Sequence, residues 1–177
     1  VAASNPPLRG ASVADQAFFS FHQQTNSDTP YVSQTTTDRA NPDWHIHFSR
    51  RLNDAAGGFA GAVVVAVDPA YFTSGYERSR LGEHGALGLF GSDGVFRALR
   101  VGDNVNWGGG APASSDDSGK LATSGWDGVR RYTSVRRLHG FSLTAMVGLA
   151  EPEQMAVFEQ QRRNYLWLAG SGSAALV

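Results

Sequence analysis

Apolar and polar positions alternate most regularly between Trp44 and Asp68, in WHIHFSRRLNDAAGGFAGAVVVAVD. Trp44, Ile46 and Phe48 alternate with His45, His47 and Ser49, the period of a strand with one buried face. Asn53 to Gly58 (NDAAGG) is turn chemistry, because Asn and Asp bond back to their own backbone and Gly accepts positive φ. Gly61 to Val67 (GAVVVAV) is a β-branched run, expected to form a central strand buried on both faces. Asp68-Pro69 stops it, since Pro restricts the residue before it and has no N–H to donate. The stretch predicts a polar-faced strand that returns through a short turn.

Further elements are predicted on both sides of this unit, and its strand–turn–strand pattern recurs downstream. Ser12 to Thr25 predicts a helix capped by Ser12 or Asp15, with Phe18, Phe21 and His22 on one face. Tyr31 to Thr37 predicts a short strand, and Tyr71 to Ser79 a short helix. Gly85 to Phe90 and Val95 to Arg100 flank Ser92-Asp93-Gly94, a strong hairpin signal. Gly102 to Gly119 reads as a long irregular loop. A strand region over Gly125 to Leu138 turns at His139-Gly140 into a strand over Phe141 to Leu149. Glu151 to Arg163 predicts a helix with Pro152 in its first turn and acidic residues at its positive end. The predicted class is α+β with antiparallel sheets, arranged as two similar small modules joined near residues 69–84.

Composition narrows the function classes. The 177 residues carry 15 basic and 16 acidic side chains, a formal net charge of −1, so no nucleic-acid footprint is expected. Cysteine is absent, which excludes disulfides, thiolate metal sites and a Cys nucleophile. The opening VAASNPPLRG has neither region of a signal peptide and reads as the start of an excised fragment. Asn164 to Val177 (NYLWLAGSGSAALV) turns apolar after Arg162-Arg163 and is expected to be the first part of a truncated membrane span.

Candidate chemistry is sparse. His45 and His47 share a strand face and could chelate a metal with His22, His84 or Asp43, but no further ligand stands at a recognisable spacing, and no metal is assigned. There is no G-x-S-x-G and no H-E-x-x-H. Gly108 to Gly110 lacks the strand–loop–helix setting of a phosphate cradle. Arg50-Arg51, Arg130-Arg131 and Arg136-Arg137 are pairs on strands, so one Arg of each can face a pocket while the other meets solvent. Phe18, Phe19, Tyr31 and Trp44 suit a core or an aromatic-walled pocket between helix and sheet.

The run VADQAFF, then WHIHFSRRLNDAAGGFAGAVVVAVDPAYF, LGEHGALGLFGSDGVFRALR and WDGVRRYTSVRRLHGFSLTAMVGLAEPEQM, resembles the extracytoplasmic double Cache (PDC-type, PAS-like) sensor region. That region belongs to bacterial membrane receptors, including GGDEF/EAL cyclic-di-GMP proteins and sensor histidine kinases. The resemblance implies two PAS-like modules: a membrane-distal one over residues 1–80, lacking its N-terminal helix and first strands, and a membrane-proximal one over 81–150. Residues 151–177 would be a signalling helix and the start of a transmembrane segment. By position, the resemblance places Phe19, His22, Trp44, His45, His47 and Asp68 near a distal ligand pocket. Gln16 and Phe18 stand where many relatives have Arg and Tyr, which weakens the grip used for amino acids.

The expected function is therefore that of a non-catalytic periplasmic sensor, binding an unidentified small molecule and signalling to a cytoplasmic output domain of the same receptor. No cofactor is expected. The expected partners are that ligand, the output domain, the membrane through flanking helices, and optionally a second copy in a homodimer. The main alternative is a vestigial sensor serving as an interaction or dimerisation module, with its Phe18–Trp44 aromatics filling a tight core. A third is a hydrolase pairing His45 or His47 with Ser20 or Ser33.

Overall fold

The computed structural model describes residues 12–37, 43–111, 119–156 and 162. The chain is sheet-rich α+β, and all strand pairings among the described residues are antiparallel. Helix α1 spans Ala17–Gln24. It begins later than Ser12 or Asp15 would place it, because Gln16 occupies the N-cap and its side chain makes no capping bond. Of the three residues expected on one face, Phe18 and His22 are buried and Phe21 is half-buried. The strand expected over Tyr31–Thr37 is only Tyr31–Val32 (β1), and Thr36 then bridges to His45.

Strands β2 (Ile46–Asn53) and β3 (Phe59–Val67) form the expected hairpin, with Ile46 opposite Val67 and Leu52 opposite Gly61. Asp54 holds the turn by accepting from the N–H groups of Ala56 at 2.9 Å and Gly58 at 2.8 Å. The sheet order is β1-β2-β3, which corrects the expectation for β3. Among the described residues it is an edge strand, not a central one, with Val63 52% and Val65 56% exposed. Strand β2 is the one covered on both faces. Ile46 packs with Val32, Leu89 and Leu143, while His47 and Ser49 are buried on the side facing α1. An apolar run reports affinity for burial but not position in the sheet; β2 takes the centre because its polar side chains find partners inside.

After β3, a 3-10 helix at Pro69–Thr73 and a short α2 at Arg78–Leu81 replace the single helix expected over Tyr71–Ser79. A six-stranded sheet follows, built from β4 (Ala86–Gly91), β5 (Phe96–Val101), β6 (Asn104–Asn106), β7 (Lys120–Thr123), β8 (Arg130–Leu138) and β9 (Leu143–Ala150). Its order is β6-β5-β4-β9-β8-β7. The β4–β5 and β8–β9 hairpins match expectation; β6 and β7 lie outside it. Residues 104–106 were expected in loop, but Gly102 (φ 58°) turns the chain back so that β6 pairs with β5.

One face of this sheet carries Leu89 and Leu143 against Ile46, Phe48 and Phe72, joining the two sheets through a common core. The opposite face carries Phe96, Leu99 and Met146, with Trp126 over them. Residues 151–156 are helical, and no helix among the described residues is long and apolar enough to cross a membrane. The span expected in Asn164–Val177 lies outside the described residues.

Candidate ligand-binding site

The open end of the β2–β3 hairpin, opposite its turn, forms a cleft of about 370 Å³ lined by Asp43, Trp44, His45, Ala66 and Asp68. Register explains the grouping: Ile46 pairs with Val67, so the residues just before β2 meet those that end β3. Thr36 fixes the entry to β2 through two backbone bonds with His45, each 2.9 Å. The His45 Nδ1 lies 2.7 Å from the Asp43 carbonyl, which sets the imidazole's orientation. Asp68 caps the 3-10 helix, accepting from the Ala70 N–H at 2.8 Å. Trp44 is half exposed, and its ring lies 5.3 Å from that of Trp107.

Three of the six residues placed near a pocket by resemblance, Trp44, His45 and Asp68, meet in this cleft. His47 stands behind it, its ring 4.5 Å from that of His45 and 5.1 Å from that of Phe18. Thus His47 connects the cleft to α1. His22 is a layer deeper, with Nε2 3.0 Å from Ser49 Oγ. Burial lowers the His22 pKa, the Ser49 contact opposes this, and the Arg51 charge adds to the lowering. The imidazole is therefore held neutral, which suits a Nδ1 that has no hydrogen-bond partner. Phe19 is not in this group. It packs edge-on to Phe59, 5.3 Å away, at the turn end of a hairpin about 30 Å long.

The histidine-rich face thus differs from a solvent-facing polar strand: His45, His47 and Ser49 are 2%, 6% and 2% exposed. Among the described residues, no group of three or more His, Cys, Asp or Glu side chains is placed to hold a metal. The hydroxyls of Ser20 and Ser33 donate to the carbonyls of Ala17 and Gln34. The buried His22–Ser49 pair has the spacing of a nucleophile and base, but both residues are walled off beneath α1.

The arginine pairs divide as strand geometry predicts in one case. Arg131 is fully buried, while Arg130 is exposed and pairs with Glu151 at 3.0 Å. Arg131 does not face the cleft at Trp44. It grips Asp127 with two bonds of 2.7 and 2.6 Å and donates to the His84 carbonyl at 2.7 Å and Ser124 Oγ at 2.9 Å. Burial pushes the Asp127 pKa up, but the bonds from Arg131 and the Val129 N–H outweigh it and the net shift is down. Both Arg136 and Arg137 are exposed. Arg51 donates to the His22 carbonyl and covers the Phe59 ring at 4.9 Å, so it braces α1.

Sequence reasoning singled out Asp43 only as a metal candidate and missed Ala66. Ala66 has no chemical signal, but its register opposite His47 would have placed it once the hairpin was drawn.

The sequence matches no family model and no curated protein. Solved structures do match. The extracellular domain assigned to a histidine kinase aligns with a TM-score of 0.67 at 25% identity, over 80% of this chain and 62% of its own. The ligand-binding domain of the Pseudomonas fluorescens chemoreceptor CtaA, in complex with L-serine, aligns at TM-score 0.55 and 15% identity, over 81% and 64%. That of the Pseudomonas aeruginosa amino acid chemoreceptor PctB, in complex with L-arginine, aligns at 0.58 and 12%, over 88% and 63%. The chain spans less than two thirds of the length of these domains. It shares the fold of a histidine-kinase extracellular domain and of chemoreceptor ligand-binding domains.

Proposed function

We propose that this chain is the extracytoplasmic sensor region of a bacterial membrane receptor and that it binds a small amine in the cleft at the open end of the β2–β3 hairpin. The observation that carries this reading is the cleft itself, where Asp43 and Asp68 stand with the Trp44 indole and the His45 imidazole. Two carboxylates beside an aromatic face suit an ammonium group. Among the described residues that line the cleft there is no Lys or Arg to receive a carboxylate, which favours a simple amine over the amino acids bound by the chemoreceptor domains. The shared fold supports a sensing role rather than catalysis.

In this reading the chain holds a membrane-distal module over residues 1–80 and a proximal one over 81–150, as in double Cache regions. The division is supported by the strands, since β1–β3 end before residue 80 and β4–β9 begin after it. Residues 151–177 would carry the signal toward a membrane span and an output domain, either a cyclic-di-GMP enzyme or a histidine kinase. A ligand that prefers one packing of the hairpin shifts the helix only by its difference in affinity for the two states.

The test is a thermal-shift titration with choline and putrescine, with acetate and L-serine as controls. Saturation at about 100 times the dissociation constant adds roughly 2.7 kcal/mol. The amines should raise Tm, and Asp68→Asn, which keeps a capping side chain, should abolish the rise. Shifts from acetate alone, or an amine response surviving Asp68→Asn, would sink the assignment. The exposed Val63 and Val65 on the β3 edge favour a second reading, a dimerisation module without a ligand. It requires a flat response to every compound and a mass that rises with concentration.

A further inference from the structure

A second cleft is larger than the one at Trp44. It measures about 440 Å³ and lies on the outer face of the six-stranded sheet. Its apolar floor comes from Phe96, Leu99 and Val101 on β5. Trp107 and Trp126 contribute indole walls, and the exposed amides of Asn104 and Asn106 lie at its rim. Trp126 stands edge-on to Phe96 at 5.3 Å, and its Nε1–H is buried without a hydrogen-bond partner. A buried indole N–H without an acceptor is an uncommon cost in a folded protein, and a ligand acceptor that reached it through a small shift of the ring would remove it.

Charge decides the ligand class. The Arg131 guanidinium lies 5.8 Å from the Trp126 ring, so a second cation on that indole meets repulsion. Asp127 also lines the cleft, which disfavours an anion, and both of its oxygens are already engaged by Arg131. What remains favourable is a flat neutral molecule with a hydrogen-bond acceptor and an amide-like edge, laid on the indoles and paired with the asparagines.

We infer that this cleft is a second ligand site, for a neutral heteroaromatic amide or lactam, and that its occupancy is felt at the start of the C-terminal helix. The connection is a continuous set of hydrogen bonds. Asp127, beside Trp126, holds Arg131; Arg131 Nε donates to the His84 carbonyl at 2.7 Å. The N–H groups of Glu83 and His84 donate to Glu153 Oε1 at 3.0 and 2.9 Å, and His84 Nδ1 lies 2.7 Å from the same oxygen. Glu153 lies in the helical segment 151–156. Displacing Trp126 or Asp127 therefore moves the anchor of that segment.

Isothermal titration calorimetry of the full chain with nicotinamide, uracil and xanthine tests the site. At least one should bind. Trp126→Phe, which keeps the ring against Phe96 but removes the donor, should weaken it about fivefold. The exposed pair Asn104→Ala/Asn106→Ala, which leaves the floor intact, should weaken it further. Asp68→Asn, in the other cleft, should leave it unchanged, which separates this site from the proposed amine site. No heat from any of the three at millimolar concentration, or binding lost with Asp68→Asn and kept with Trp126→Phe, overturns the site. Amide NMR shifts at Glu83, His84 and Glu153 on binding are expected; binding without them overturns the connection to the helix.

Discussion

Arg131 should be the costliest side chain to remove from the large sheet. Arg131→Met keeps an unbranched stem of similar length over Gly148, where a Cβ would stand only 3.0 Å from the arginine Cδ. It deletes the guanidinium and with it the bonds to Asp127, Ser124 and the His84 carbonyl. Breaking a buried ion pair by removing one partner costs about 3–5 kcal/mol. Asp127 is 28% exposed and can turn partly to water, so the lower end, about 3 kcal/mol, applies. With a urea m-value of about 2 kcal/mol/M for a chain of this size, the midpoint should fall by roughly 1.5 M at unchanged m.

The converse change, Asp127→Asn, leaves a guanidinium that is 0% exposed without its counter-charge, and should cost at least as much. The double variant should then lose clearly less than the sum, with a coupling of about 1–3 kcal/mol. Urea unfolding followed by far-UV circular dichroism measures all four proteins. A loss below about 0.5 kcal/mol for Arg131→Met is what a surface site gives. That result, or strict additivity, would refute the reasoning.

Two further perturbations probe the same sheet. Burial pushes the Asp93 carboxyl up, but bonds from Arg97, Gln34 and the Val95 N–H outweigh it and hold its pKa at about 2, below the ordinary 3.8. This stability is present above the unfolded value and is lost as pH falls toward 2; the full difference is about 2.4 kcal/mol, which screening at a 37% exposed side chain reduces to about 1. Asp93→Asn should flatten the fall in unfolding free energy between pH 4.5 and 2 by that amount, and an unaltered slope would exclude the account. Gly88→Ala would set a methyl 2.7 Å from the Phe96 ring and 3.2 Å from the Met146 terminus, and should cost about 1–3 kcal/mol in urea unfolding. A neutral result would mean that the floor beneath Trp126 yields easily.

Local chemistry was legible in the sequence where one residue type determines the backbone. Asp54 in its turn, Asp93-Gly94 between β4 and β5, and Asp68-Pro69 at the end of β3 all stand where turn and stop signals place them. Tertiary placement was not legible. GAVVVAV looks more buried than IHFSRRLN, yet the second is the central strand, because His22 supplies Ser49, and Ser33 supplies the His47 backbone, with internal partners. Those partners lie 27 and 14 residues away, beyond any local pattern. The Trp44 cleft was half legible: Trp44, His45 and Asp68 flank the hairpin ends, whereas Phe19 and His22 share α1 with Phe18 but not its distance to the opening. The second cleft was missed because Gly102 to Gly119 was read by composition. Gly102-Asp103 followed by alternation through Asn104, Val105, Asn106 and Trp107 is itself a hairpin signal.

The two clefts are not equivalent as sources of a signal. The Trp44 cleft sits on an edge-exposed three-stranded sheet and reaches the large sheet through the shared core around Ile46 and Leu143 and through the contact of Trp44 with Trp107. Trp107 is also a wall of the second cleft. From there, charge-assisted bonds run by way of Arg131 and His84 to Glu153 at the helix start. A ligand at Trp44 would thus act on the helix across a packed interface, and one at Trp126 through directional bonds already formed. Burial pushes the Glu153 pKa up, but the bonds from His84 and Glu83 outweigh it and the net shift is down, so near neutral pH it is a carboxylate holding three donors at once. Releasing Glu153 would break all three bonds together. Coupling between distant sites is usually about 1–3 kcal/mol, and the contact of Trp44 with Trp107 is the route by which the first cleft would share in it.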